Sequence, residues 1–186
     1  MPATLTTRRF TVDDDYRMAE AGILGVGERV ELIDGEIVQM AANGSRHAGC
    51  VKRLDRLLAR GVEGRAIVQV QDPVRLSDLS EPRPDLAVLR PRTDDHTTAH
   101  PGPDDVLLVV ELADATVDID RDTKAPLQAA AGIREYWLVD LPQDEIQAFR
   151  TPAPDGYREV RSYRRGDVMG PSVLHGLEVP MADILP

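Results

Sequence analysis

Glu111 interrupts an otherwise apolar run, Val106-Leu107-Leu108-Val109-Val110-Glu111-Leu112. A run of this kind, bounded by turn signals, reads as a buried strand. A carboxylate inside it is costly to bury unless a partner meets it, and a metal ion or a lysine is such a partner. The stretch Arg83-Pro84-Asp85-Leu86-Ala87-Val88-Leu89 reads as a second strand, with Asp85 at its start. Downstream, Asp120-Arg121-Asp122-Thr123-Lys124 opens a helical pattern that carries Lys124. The three stretches are expected to meet at one point.

The rest of the chain supplies elements around them. Thr11 to Gly22 reads as a short capped helix, with Asp13, Asp14 and Asp15 crowding its positive end and Gly22 closing it. Arg29 to Met40 reads as a hairpin turned at Asp34-Gly35. Ser45 to Val62 reads as an amphipathic helix, because Val51, Leu54, Leu57 and Leu58 recur at helical spacing among basic residues. Ala66 to Val70 and Val74-Arg75-Leu76 read as strand, broken by Asp72-Pro73. Pro91 to Asp105 holds three prolines, two histidines and four aspartates without periodic apolar residues, and reads as an exposed loop. Asp120 to Ala131 reads as a helix that ends at Gly132, with Pro126 near its start. Tyr136 to Asp140, Glu145 to Phe149 and Tyr157 to Tyr163 read as further strands. No repeat or domain boundary stands out, so residues 1–186 are read as one domain, with 1–27 as an N-terminal helical extension.

Composition narrows the setting. The chain has 186 residues, 42% of them hydrophobic, enough for a core and too apolar for wholesale disorder. Cys50 is the only cysteine, which rules out an internal disulfide and a thiolate zinc cluster and suits the cytoplasm. The stretch Met1 to Arg9 has no apolar core of signal-peptide length, and no apolar run approaches the ~20 residues of a membrane span. The net charge of −10 speaks against a general nucleic-acid coat protein, since phosphate contacts need Lys and Arg. It leaves room for a site whose acids are offset by divalent cations.

The ordered set of Glu31-Leu32-Ile33-Asp34-Gly35-Glu36-Ile37, Pro84-Asp85, Val109-Val110-Glu111, Lys124, Ala130 to Asp140 and Gly176-Leu177-Glu178-Val179-Pro180 resembles the Uma-type family of putative restriction endonucleases. That family is common in bacteria and lies within the PD-(D/E)XK nuclease superfamily. The resemblance runs from about Val30 to Leu185. It implies an α/β, restriction-endonuclease-like fold with a mixed central β-sheet flanked by helices. It also implies metal-dependent hydrolysis of DNA phosphodiesters, with Asp85 and Glu111 holding Mg²⁺ or Mn²⁺. The superfamily's usual lysine slot, two positions after the second acid, is Ala113 here. Lys124 matches the family's alternative, a lysine from the following helix that orients water or offsets charge. Glu31 matches an acid before the first hairpin turn that leans on the metal site; as a bare residue it reads equally well as a cross-strand surface charge. His47 falls where the family often has a histidine. It is either a phosphate contact or proton shuttle, or a helix-surface histidine without a role.

Other features give way to simpler readings. Asp120 lies four before Lys124, and an ordinary helical ion pair accounts for it. His96 and His100 are four apart, but Pro101, Gly102 and Pro103 argue against a helix that would align them. Gly22 to Gly27 lacks the strand and helix of a phosphate loop. No Ser-His-Asp arrangement is evident. The rival to a nuclease is a catalytically silent relative used for protein binding or self-association, favoured by the net charge; another is a hydrolase of different phosphate esters. Cutting both strands of a duplex would suit a homodimer, whose two-fold symmetry mirrors that of DNA.

Overall fold

The structure is a computed structural model that describes residues 7–25 and 27–185. Met1 to Thr6 of the N-terminal stretch, Val26 of the Gly22–Gly27 segment and Pro186 lie outside the described residues.

Helix α1 (Val12–Glu20) starts at a reciprocal cap, in which Thr11 and Asp14 each accept from the other's backbone N–H. Strands β1 (Val30–Ile33) and β2 (Glu36–Gln39) form the expected hairpin. Its central residues Asp34 and Gly35 both have positive φ, 48° and 78°, the geometry that an Asp-Gly pair tolerates best. Helix α2 (Ser45–Val62) buries His47, Cys50, Val51, Leu54, Leu58 and Val62 along one stripe.

The central sheet has six strands: β3 (Ile67–Val70), β4 (Leu86–Leu89), β5 (Val106–Ala113), β6 (Glu135–Asp140), β7 (Glu145–Ala153) and β8 (Gly156–Arg164), lying side by side in that order. All neighbours are antiparallel except β5 and β6, so the sheet is mixed. β5 and β6 sit in the middle and are buried along their whole lengths. Parallel pairing needs a crossover, and residues 117–130 supply it. They comprise α3 (Val117–Ile119), a π-helical turn (Asp120–Lys124) and α4 (Ala125–Ala130).

Two apolar layers cover the sheet. On one face α2 packs with Leu86, Val88, Leu108, Val110, Leu112, Trp137 and Val139. The C-terminal segment joins this layer through β9 (Val168–Met169), β10 (Val179–Pro180) and α5 (Met181–Ile184). On the other face Ala125 of α4 packs with Ala87, Val109, Ala113, Tyr136, Leu138 and Phe149. Alternation along β5 puts Leu108, Val110 and Leu112 toward α2, and Val109 and Ala113 toward α4. Glu111 falls between the last two, on the α4 face.

Two expectations need correction. Val74-Arg75-Leu76 is not a strand of the sheet. It folds back within its own loop, with Val74 N–H donating to Pro82 O and Leu76 N–H to Ser80 O. Pro73, Pro82 and Pro84 lack the N–H groups a longer ladder would need. The helix expected from Asp120 to Ala131 is not uniform either. Pro126 has no N–H for Asp122 and crowds that carbonyl, which favours widening the preceding turn. Ala125 N–H accordingly donates back to Asp120 O, five residues away. Gly132 closes the segment at φ 84°, as expected. Pro91 to Asp105 is a loop of turns ending in a 3₁₀ turn at Pro103–Asp105.

Candidate active site

Leu86 pairs with Val110 across β4 and β5, and extending that register by one residue sets Asp85 beside Glu111. The Asp85 backbone N–H points at Glu111 Oε2, 3.4 Å away, although twenty-six positions separate the two residues. Both acids sit where the sheet meets the hairpin, α2 and the π-helical turn. A cleft of about 80 Å³ opens there, lined among others by Arg29, Glu31, His47, Asp85, Glu111, Asp120 and Lys124.

Asp85 is fixed from three sides. The Leu112 N–H donates to its Oδ2 at 3.0 Å, and Gln71 Nε2 donates to its Oδ1 at 3.0 Å. His47 Nε2 lies 3.0 Å from the same Oδ2. A carboxylate oxygen accepts in that contact, so Nε2–H is the donor, and Nδ1 is buried with no hydrogen-bond partner among the described residues. Burial pulls the His47 pKa down, the bond and charge of Asp85 outweigh it and raise the net value, and Arg29 opposes them.

Lys124 reaches the cluster directly. Its ammonium lies 2.8 Å from Glu31 Oε1, 3.1 Å from Glu111 Oε1 and 3.4 Å from Asp120 Oδ1, and all four residues are buried. The contact with Glu111 is a direct ion pair with no room for a bridging water. Burial alone would lower the Lys124 pKa, but Glu111, Glu31 and Asp120 raise it above the ordinary lysine value, so the ammonium stays charged. Burial pushes the Glu111 pKa well above the usual carboxylate range; Asp120, Asp85 and Glu31 push the same way, and Lys124 opposes them. Asp120 is raised as well, mainly by burial.

The cleft therefore holds Glu31, Asp85, Glu111, Lys124 and His47 together. Glu31 is no surface charge: its Oε2 also accepts from the Arg83 N–H at 3.2 Å. His47 is no surface histidine: it stands on the buried stripe of α2, three before Cys50 and four before Val51. That spacing was visible in the sequence. Asp120 proves to be a buried member of the site, its Oδ2 bonded by the Thr116 hydroxyl at 2.6 Å and its carbonyl by the Tyr136 hydroxyl at 3.1 Å. The Asp120–Lys124 spacing hinted at the pair; only the fold shows its burial. Gln71 had no signal in the sequence beyond its place before Asp72-Pro73, and it takes a positive φ of 55°. His96 and His100 lie apart, beside Tyr16, Arg75 and Glu81.

Among the described residues no three Asp, Glu, His or Cys side chains are grouped so as to hold a metal ion by themselves. The donors nonetheless suit a hard cation. Asp85 Oδ1 and both Glu111 oxygens each receive one protein hydrogen bond, so each keeps a lone pair. Mg²⁺ commonly takes one or two carboxylates and completes its shell with water. Four clustered carboxylates around a single ammonium also leave negative charge that a divalent cation would offset. No helix among the described residues is long and apolar enough to cross a membrane.

The fold has a counterpart of known structure. A protein from Anabaena variabilis ATCC 29413, described as a putative nuclease belonging to DUF820, superposes with a TM-score of 0.73 at 17% sequence identity, covering 94% of this chain and 97% of that one. At that identity the likeness shows the shared restriction-endonuclease-like architecture. Among curated proteins there is no match. The Uma2 family, described as "Putative restriction endonuclease", matches residues 13–182, nearly the whole chain. The chain belongs to the Uma2 family.

Proposed function

We propose that this protein is a Mg²⁺- or Mn²⁺-dependent endonuclease that hydrolyses DNA phosphodiester bonds. The family description and the similar structure's description both support a nuclease role. The observation that carries the reading is the convergence of Asp85, Glu111 and Lys124, from three separate elements, on one cleft. In this reading residues 1–186 act as one restriction-endonuclease-like domain, with 1–27 as a helical extension. The site of action is the cytoplasm, and two copies pair to cut both strands.

Asp85 and Glu111 would hold the metal ion, which when bound offsets charge on the phosphate and lowers the pKa of a water. The protein's own residues do the rest. The Leu112 N–H, Gln71 and His47 fix the plane of the Asp85 carboxylate, so it needs little reordering when a cation arrives. Lys124, kept charged by its three acids, orients the attacking water and offsets charge that develops on the phosphate. Glu31 and Asp120 hold that ammonium beside Glu111. His47, which also lines the cleft, would stand beside the bound substrate.

A second reading, a silent relative that binds proteins, draws on the net charge of −10. Supercoiled plasmid, single-stranded DNA and RNA, each incubated with Mn²⁺ or with EDTA, separate the two. DNA cutting that EDTA abolishes is the expected result. No EDTA-sensitive cutting of any of the three would put the binding-protein reading ahead.

A further inference from the structure

Resting on the nuclease reading, we propose that Arg29 is the cation that binds the substrate's phosphate backbone at the mouth of the cleft. A phosphodiester approaching Glu31, Asp85, Glu111 and Asp120 meets like charge, and some cation at the entrance must counter it. Lys124 is poorly placed for that task. It is buried, and three carboxylates already share its ammonium at 2.8, 3.1 and 3.4 Å.

Two other cations on the surrounding elements are engaged in ion pairs. Arg46, in the first turn of α2, pairs with Asp144 at 2.6 Å. Arg121, in the π-helical turn, pairs with Asp118 and with Asp122. Arg29 differs. It lines the cleft, its residue is exposed, and among the described residues no carboxylate pairs with it. Its charge is near enough to His47 to oppose protonation there.

The backbone explains its aim. Arg29 immediately precedes β1, two residues before Glu31, and extending the strand's period-two alternation sets both side chains on the same side. Glu31 points into the cluster, so Arg29 points the same way one step further out. The Met40 N–H donates to Arg29 O at 2.8 Å, which anchors the residue at the open end of the hairpin. A guanidinium in that position can give two parallel N–H bonds to the non-bridging oxygens of one phosphate, a geometry an ammonium cannot copy.

The test compares the parent protein with Arg29→Ala and Arg29→Lys on a DNA duplex in Mn²⁺, over a series of salt concentrations. A charged hydrogen-bonding contact made equally in ground and transition states raises KM and leaves kcat almost unchanged when lost. Arg29→Ala should raise KM roughly ten- to a hundred-fold, with Arg29→Lys in between. The salt dependence of binding should become shallower by about 0.9 in the log–log slope, one phosphate contact's worth. Melting temperature should not move, because the side chain is exposed. If the parent cuts and Arg29→Ala keeps its KM and salt slope, the Arg29 assignment falls and the nuclease reading stands. A drop in kcat at constant KM would overturn it too. A parent that neither cuts nor binds DNA removes the nuclease reading, and the role of Arg29 with it.

Discussion

The Lys124 ammonium lies 3.1 Å from Glu111 Oε1, although the two residues are thirteen positions apart in the chain. Strand periodicity turns Glu111 to the face that α4 covers, and the crossover between β5 and β6 returns the chain over that face. The π-helical turn then aims Lys124 at Glu111 on that central strand. On the proposed reading, Lys124 takes the part of the lysine that the superfamily usually carries at the position of Ala113. Ala113 itself is fully buried against α4, where an ammonium would have no room.

His47 should tune the site through Asp85. Its ring holds one carboxylate oxygen in place, and losing such an outer partner typically weakens metal affinity ~10- to 100-fold. Titration calorimetry with Mn²⁺ on His47→Ala should show that loss. Saturating Mn²⁺ should then restore much of the cleavage. Unchanged Mn²⁺ affinity would contradict the role.

A divalent cation should stabilise the folded protein. Buried carboxylates outnumber the ammonium that pairs with them, and a ligand that binds only the native state adds about 2.7 kcal/mol at a hundred times its Kd. Thermal melts with Mg²⁺ or Mn²⁺ should shift upward, and EDTA should reverse the shift. Asp85→Asn should abolish it. An equal shift in parent and Asp85→Asn would place the cation elsewhere.

Much of this arrangement was legible in the sequence, for physical reasons. Apolar runs, the Asp34-Gly35 turn and the α2 stripe report local geometry, and the structure follows them closely. The cluster of Asp85, Glu111 and Lys124 came from the resemblance and not from spacing. What stayed hidden depends on non-local packing. Gln71 reaches Asp85 because its strand ends beside β4, and Asp120 is buried because Tyr136, on another strand, fastens its carbonyl. Val74 to Leu76 misled because its composition is strand-like, while the prolines opposite deny it a partner.

Not every buried acid belongs to the cleft. Glu135 accepts bonds from Trp137 Nε1, Arg150, and the backbone and hydroxyl of Ser172, tying the sheet to the C-terminal segment. Glu135→Ala leaves Arg150 without its carboxylate and should cost about 3–5 kcal/mol, as breaking a buried ion pair does. Denaturant melts should show the loss, while cleavage per folded molecule stays near the parent's. A selective loss of cleavage without loss of stability would tie Glu135 to the chemistry instead.

Single-turnover cleavage of a DNA duplex by the parent, Asp85→Asn and Lys124→Gln, with Mn²⁺ binding measured in parallel, addresses the shared site directly. Lys124→Gln removes the charge and keeps a hydrogen-bonding side chain among Glu31, Glu111 and Asp120. It should retain Mn²⁺ and lose about 10²–10⁴-fold in rate. Asp85→Asn should lose both Mn²⁺ and cleavage. A Lys124→Gln protein that cuts at the parent rate would contradict the assignment.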